Sequence, residues 1–190
     1  SPLVYLPTAV TAAIITVAVS EVFDISYLKK LFNISISEFL ISVVTSLAVM
    51  TIGVLEGVLI SVGLALIGLL QRASKPRDEI LGKIENMNLF NSINEYENAK
   101  FIPGILIYKF NSALLFFNAD YFRSRIRTLI AEAETKPDWV LIDAATVNFI
   151  DTTANDVVEN LKYELEKNGI RLAFARTQKV VADLFEKSGT

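Results

Sequence analysis

The sequence predicts a membrane α-helical segment followed by a small α/β domain, its sheet mostly parallel and packed with helices. Three observations carry that prediction. The 190 residues are 52% hydrophobic with a mean hydropathy of +0.44, more apolar than soluble domains usually are. The excess sits at the front, where residues 1–71 hold six charged side chains: Glu21, Asp24, Lys29, Lys30, Glu38 and Glu56. From Arg72 onward the charge density is that of a soluble domain, and strand-length apolar runs alternate with helical periodicity.

Three uncharged runs, 1–20, 39–55 and 57–71, give candidate spans at approximately 3–22, 38–55 and 56–72. A helix needs about 20 residues to cross a bilayer, which the first two supply. The third, between Glu56 and Arg72, is short and covers roughly 22 Å. It crosses only if Glu56 lies at the interface and Arg72 snorkels toward headgroups. The absence of any polar face over runs of this length argues against buried helices of a soluble protein. Gly53, Gly57, Ser61, Gly63 and Ala65 suit close helix packing in lipid.

Basic residues orient the spans. Lys29 and Lys30 lie between the first two, and Arg72, Lys75 and Arg77 follow the third. Alternating spans put both groups on one side, which the positive-inside rule makes cytoplasmic, with anionic lipid headgroups as a secondary contact. "FDISYLKKLF" is amphipathic and suits that surface. Glu21 and Asp24 read as interfacial. Glu56, alone in the apolar hairpin, reads as an interfacial turn residue, or as a contact to further spans or a proton-linked group.

Residues 73–88 read as a linker and 89–190 as the α/β domain. "LFNSINEY" and "GILIYKFN" alternate as strands, the second with Ile105, Ile107 and Lys109 on one face. Asn118 is the expected N-cap of a helix whose Phe122, Ile126, Leu129 and Ile130 recur at helical spacing. "DWVLIDAATV" is a continuous apolar strand of the buried central kind. A helix from Asp151 turns Val157, Val158, Leu161 and Leu165 inward and closes at Asn168-Gly169. "IRLAFAR" and "QKVVADLFEKSG" supply another strand and helix. A further element is expected beyond Thr190, and an opening Ser1 on apolar sequence reads as a piece of a longer protein.

Composition excludes several functions. With no Cys and no His, disulfides, thiol nucleophiles, zinc sites and His-based triads are out. A net charge of −3 offers no footprint for nucleic acid. Asp143 and Asp151 end apolar strands as phosphoacceptor aspartates do. "DAATV" nevertheless lacks the second acid two positions on, and no basic or metal-binding cluster converges on either residue in the sequence. No catalytic residue, metal or cofactor is expected. In "VNFIDTTAND", Asp151 or Thr152 is placed to cap the following helix, a contribution of about 0.5–2 kcal/mol.

The ordered series "VLIDAATVNFIDTTA", "NGIRLAFAR" and "VVADLFEKSG" resembles the STAS domain shared by sulfate transporters and anti-sigma factor antagonists. "ILIYKFNSALLFFNADYFRSRI" looks like the transporter version. "LPTAVTAAIITVAVSEVFDISYLKKLF" and "GVLEGVLISVGLALIGLLQRASKPR" are similar to the last three spans of SulP-type (sulfate permease) anion transporters. The resemblance implies the C-terminal gate or scaffold and regulatory part of a secondary anion transporter, sulfate-like, in the plasma (inner) membrane with its STAS domain cytoplasmic. It implies a homodimer, and an inorganic anion bound among earlier spans outside this fragment, which would not transport alone. Asp151, Thr152 and Thr153 correspond to the regulatory phosphoacceptor turn of the antagonists, with Thr152 at the hydroxyl position. Ala154 stands where the family usually has Gly, which removes backbone freedom there. A nucleotide or a protein is the implied partner of this surface. The alternative reading is a membrane-tethered STAS module that acts through protein partners and never transports.

Overall fold

The computed structural model describes residues 10–14, 16–17, 25–84, 90–96 and 98–188. The chain divides into two compact units, Ser1–Gly68 and Leu69–Thr190.

In the first unit residues 10–14 and 16–17 are helical; the rest of the expected span 3–22 lies outside the described residues. Helix α1 (Ile25–Ile34) carries the amphipathic "ISYLKKLFNI". Ser35 caps α2 (Ile36–Thr51), its Oγ accepting from the Glu38 amide at 3.4 Å. Phe32 and Phe39 meet edge to face across that corner at 5.2 Å. Gly53, at φ +143°, then turns the chain into α3 (Val54–Ser74).

The lengths of the last two spans reverse the sequence expectation. Among the described residues only α3 is long and apolar enough to cross a membrane, and α2 is a shorter apolar helix. Glu56 and Arg72, expected at the two ends of the third span, lie in the first and last turns of α3, which runs two residues further at each end. Both signs suit the helix dipole there, so neither charge ends the helix. Leu55, Leu59, Leu66 and Leu69 are each more than half exposed, a face that needs lipid or further protein around it.

The second unit is an α/β layer pair. Its sheet has the order β2-β1-β4-β5-β6, from β1 (Asp78–Ile84), β2 (Phe90–Ser92), β4 (Ile105–Phe110), β5 (Trp139–Asp143) and β6 (Arg171–Ala175). The two-residue β3 (Ala99–Lys100) pairs with β1. β4, β5 and β6 are parallel, whereas β1 is antiparallel to β4, β2 and β3. The sheet is therefore mixed rather than mostly parallel. The expected linker 73–88 is also not one throughout, because residues 78–84 form β1. Its alternation is interrupted by Gly82 and charges that face neighbouring strands, which hides a paired strand in a polar-looking sequence.

Helices α4 (Ala119–Glu132), α5 (Thr152–Lys167) and α6 (Lys179–Ser188) share one core with the sheet. Tyr108, Phe110, Val140 and Ile142 meet Phe122, Ile126, Val158, Leu161 and Val181 there. α5 ends in a Schellman motif: Gly169, at φ +73°, donates to Glu166 O and Ile170 to Leu165 O, both at 2.9 Å. The Gly189 expected to close α6 lies outside the described residues.

Candidate regulatory site at the strand-to-helix turns

The three parallel strands end at one edge of the sheet, and the turns leading into α4, α5 and α6 lie side by side along it. Apolar runs give the strands, and each turn then needs groups that satisfy the free amides of the next helix. Asp151 does this for α5: its Oδ1 accepts from the Ala154 amide at 2.8 Å. Its Oδ2 accepts from the Phe116 amide at 2.8 Å, 35 positions away. Main-chain bonds run alongside, from Leu114 N to Phe149 O at 3.0 Å and from Asp151 N to Leu114 O at 3.2 Å. One carboxylate thus caps a helix and fastens the loop before α4 to the loop before α5.

Thr152 and Thr153 open α5 and are exposed, while Ala154 behind them is fully buried. A hydroxyl at Thr152 is reachable from solvent at a helix N-terminus, where amides and dipole favour an anion. Ala154 has no surface, so close approach by a partner is confined to the two threonines.

Asn118 departs from expectation. It precedes α4, yet its side chain makes no bond to that helix's first turn. Fully buried, it braces its own loop, accepting from Leu115 N at 2.8 Å and donating to Ala113 O at 3.0 Å.

Asp143 is also not free. Buried at the end of β5, it accepts from Arg176 through both Nε, at 2.9 Å, and Nη2, and from Ala145 N at 3.2 Å. Arg176 holds a left-handed backbone, φ +57°, which costs a non-glycine residue about 1–2 kcal/mol. The paired carboxylate offsets that strain and keeps the guanidinium charged, its pKa raised by the hydrogen bond to Asp143. This cation escaped the sequence reading; the one available signal was the Arg ending "IRLAFAR", brought beside Asp143 by the Asp143–Ala175 register. Next to it Lys109 pairs with Glu79 at 3.1 Å, and Asn111 Nδ2 donates to Glu79 Oε1 at 2.7 Å. Asp143 and Glu79 are thus both held by neighbouring cations, and no metal-ligating cluster stands among the described residues.

A second network went unread in the sequence. Asp78, the first residue of β1, accepts from Tyr108 OH at 2.9 Å, Tyr121 OH at 3.3 Å and Arg125 Nε at 2.8 Å. Burial, then the Asp78 charge, pushes the Tyr108 phenol far above its ordinary range. These contacts fix the start of the sheet against α4. Of the remaining predicted residues, Lys29 and Lys30 lie on α1 and Glu56 in the first turn of α3, and Lys75 and Arg77 are exposed between α3 and β1.

The STAS domain family model matches residues 96–190. The chain belongs to the STAS family. It is 32% identical over 176 residues to a probable sulfate transporter of Mycobacterium tuberculosis, covering 93% of this chain and 31% of that protein. It is 33% identical over 187 residues to sulfate transporter 1.1 of Arabidopsis thaliana, covering 94% of this chain and 29% of that one. The fold matches the murine Solute Carrier 26 family member A9 anion transporter in its inward-facing state. The TM-score is 0.80 at 21% identity, over 97% of this chain and 30% of that one. The STAS chain thus spans less than a third of the length of the curated relatives it matches. An apolar helix followed by a STAS domain is the C-terminal region of SulP/SLC26 transporters. These relatives are named as transporters, and α3 is long and apolar enough to cross a membrane.

Proposed function

We propose that this chain is the C-terminal gate or scaffold and regulatory portion of a secondary anion transporter, sulfate-like in substrate. Transport is assigned to the whole protein, since this chain covers only 31% and 29% of the sulfate transporters it matches. What supports the reading most is the continuity of α3 with the STAS domain, since the sulfate transporters match across both parts rather than over the domain alone. The membrane unit supplies surface against which a transport core moves; Glu56 sits at the turn entering α3. The STAS domain lies on the cytoplasmic side of the plasma membrane, with Lys29, Lys30, Arg72, Lys75 and Arg77 as the determinants of that topology. The transporter works as a homodimer. Thr152 is the regulatory position, carried by the Asp151 cap and flanked by Thr153, and a protein or nucleotide partner reads that edge.

The deciding experiment is anion uptake by the full-length protein in liposomes, with sulfate, bicarbonate, chloride and a dicarboxylate in competition. Sulfate uptake that the other anions displace poorly is the expected result. No uptake of any of the four by folded protein would instead favour a membrane-tethered module acting through protein partners. A cysteine replacing Lys75 should be labelled from the cytoplasmic side alone; external labelling refutes the orientation.

A further inference from the structure

β1 starts opposite the end of β4, Asp78 facing Phe110, so the chain enters the sheet at the same edge that carries the three turns. α3 ends at Ser74 and β1 begins at Asp78, and the intervening residues reach at most roughly 14 Å. Within the second unit, Ala73 O accepts from Asn118 Nδ2 at 3.5 Å, which ties the last turn of α3 to the loop before α4. If α3 crosses the bilayer, this edge lies next to its surface.

That edge is apolar where a solvated rim would be polar. Phe116 is 64% exposed and Phe149 51%, on loops held together by the Leu114–Phe149 main-chain bond. Val180, in the first turn of α6, is also exposed. Lys75 and Arg77, in the segment that leads into β1, and Lys179, at the start of α6, are exposed on elements that begin at this end of the sheet. Two acids of the rim are engaged: Asp120 with Arg123 at 2.6 Å, and Asp151 with two amides. Exposed rings and exposed cations at one end of the sheet match the zone where acyl chains give way to anionic headgroups.

We infer that Phe116 and Phe149 form a two-ring anchor that seats this edge of the STAS domain in the interfacial layer of the bilayer crossed by α3. Lys75, Arg77 and Lys179 meet anionic headgroups around the rings. The inference rests on the membrane reading of α3 and deepens the role of Thr152. Thr152 follows Asp151, whose carboxylate binds the Phe116 amide, so negative charge at Thr152 falls beside the anchor and opposes the headgroups. Modification there would lift the edge from the membrane without any change of fold.

The test uses single-tryptophan versions of the whole chain in phosphatidylcholine–phosphatidylglycerol vesicles. Trp139, the sole tryptophan, is replaced by Phe, and F116W, F149W or F101W is added. Phe101 is 61% exposed and precedes β4 at the opposite edge, so it is the matched control. Lipids with a nitroxide near the headgroup should quench F116W and F149W several-fold more than F101W, and aqueous iodide should quench them less. Adding T152E, or omitting phosphatidylglycerol, should move both probes toward the control. Quenching equal to F101W overturns the anchor. Protection from nitroxide and iodide alike also overturns it, in favour of a protein surface such as further spans or a second copy. An unchanged signal with T152E overturns the electrostatic switch. L66W in α3 separates the two levels: if deep nitroxide lipids fail to quench it, the membrane reading falls and the anchor with it. Two ring positions keep the test decisive if one substitution prevents folding.

Discussion

Replacing Asp151 tests whether the turn is one structural joint or two. The carboxylate accepts one amide bond within its own helix and one from the neighbouring loop, both at 2.8 Å. The first is an N-cap, lost in Asp151→Ala at about 1 kcal/mol. The second is a bond to a charged acceptor, for which mutational series give roughly 1.5–3 kcal/mol. Partial solvent access at this edge favours the lower end, so the Ala variant should lose about 2–3 kcal/mol. Asp151→Asn keeps the shape but has one carbonyl oxygen for two donors, and its loss should be about half as large.

Trp139 reports on β5 as the only tryptophan, where the Arg171 guanidinium lies 5.2 Å from its ring. Urea titration of the whole chain in nanodiscs, followed by its fluorescence, reads the domain directly. With a slope of about 1–3 kcal/mol per molar urea, the Ala midpoint should fall by about 1–2 M. The graded order of wild type, Asn and Ala is the signature of a two-oxygen joint. An Asn variant as stable as wild type, or an Ala variant within about 0.5 kcal/mol of it, would refute the reasoning.

Other expectations follow from neighbouring geometry. T152E, at an exposed first helical position, should leave the unfolding free energy within about 0.5 kcal/mol of wild type while altering uptake or partner binding; unchanged function, or plain unfolding, counts against the regulatory role. A Cβ at Gly57 would overlap Val49 Cγ2 and stand 2.8 Å from Val49 N. G57A should therefore destabilise the α2–α3 turn by about 1–3 kcal/mol in a thermal melt, whereas G63A, with nothing within 4 Å, should not. Tyr108 stays protonated in the fold far above the ordinary phenol value of 10.0, so the unfolded chain binds fewer protons than the native one above that pH. Stability is complete below about pH 10 and falls by about 1.4 kcal/mol per unit above it. Tyrosinate absorbance should show one phenol withheld until the domain unfolds; its ionisation in the native state would refute the buried network.

The parts of this fold that were legible in sequence are those whose cause is local. α5 announced itself because Val158, Leu161 and Leu165 repeat at helical spacing, and its end because Asn168-Gly169 needs a positive φ. The span lengths were misread because charge was taken as punctuation. Glu56 and Arg72 lie at the helix ends with favourable sign, and the break belongs to Gly53. β1 was hidden because Asp78, Glu79 and Lys83 look like linker residues. Two of those charges find partners on other elements, Asp78 with Arg125 and Glu79 with Lys109.

The same division runs through a single side chain. Asp151 was read as a cap because one of its oxygens serves an amide three residues ahead, a relation that any "DTTA" before a helix displays. Its other oxygen serves an amide 35 residues earlier, which only the parallel pairing of β4 with β5 brings within reach. Arg176 reaches Asp143 across 33 positions for the same reason. A residue type can advertise a bond to its own helix; a bond between turns depends on strand order. This edge is therefore where the sequence is least self-explanatory: its aromatic rim, its buried acid and its left-handed arginine come from three separate crossings of one sheet.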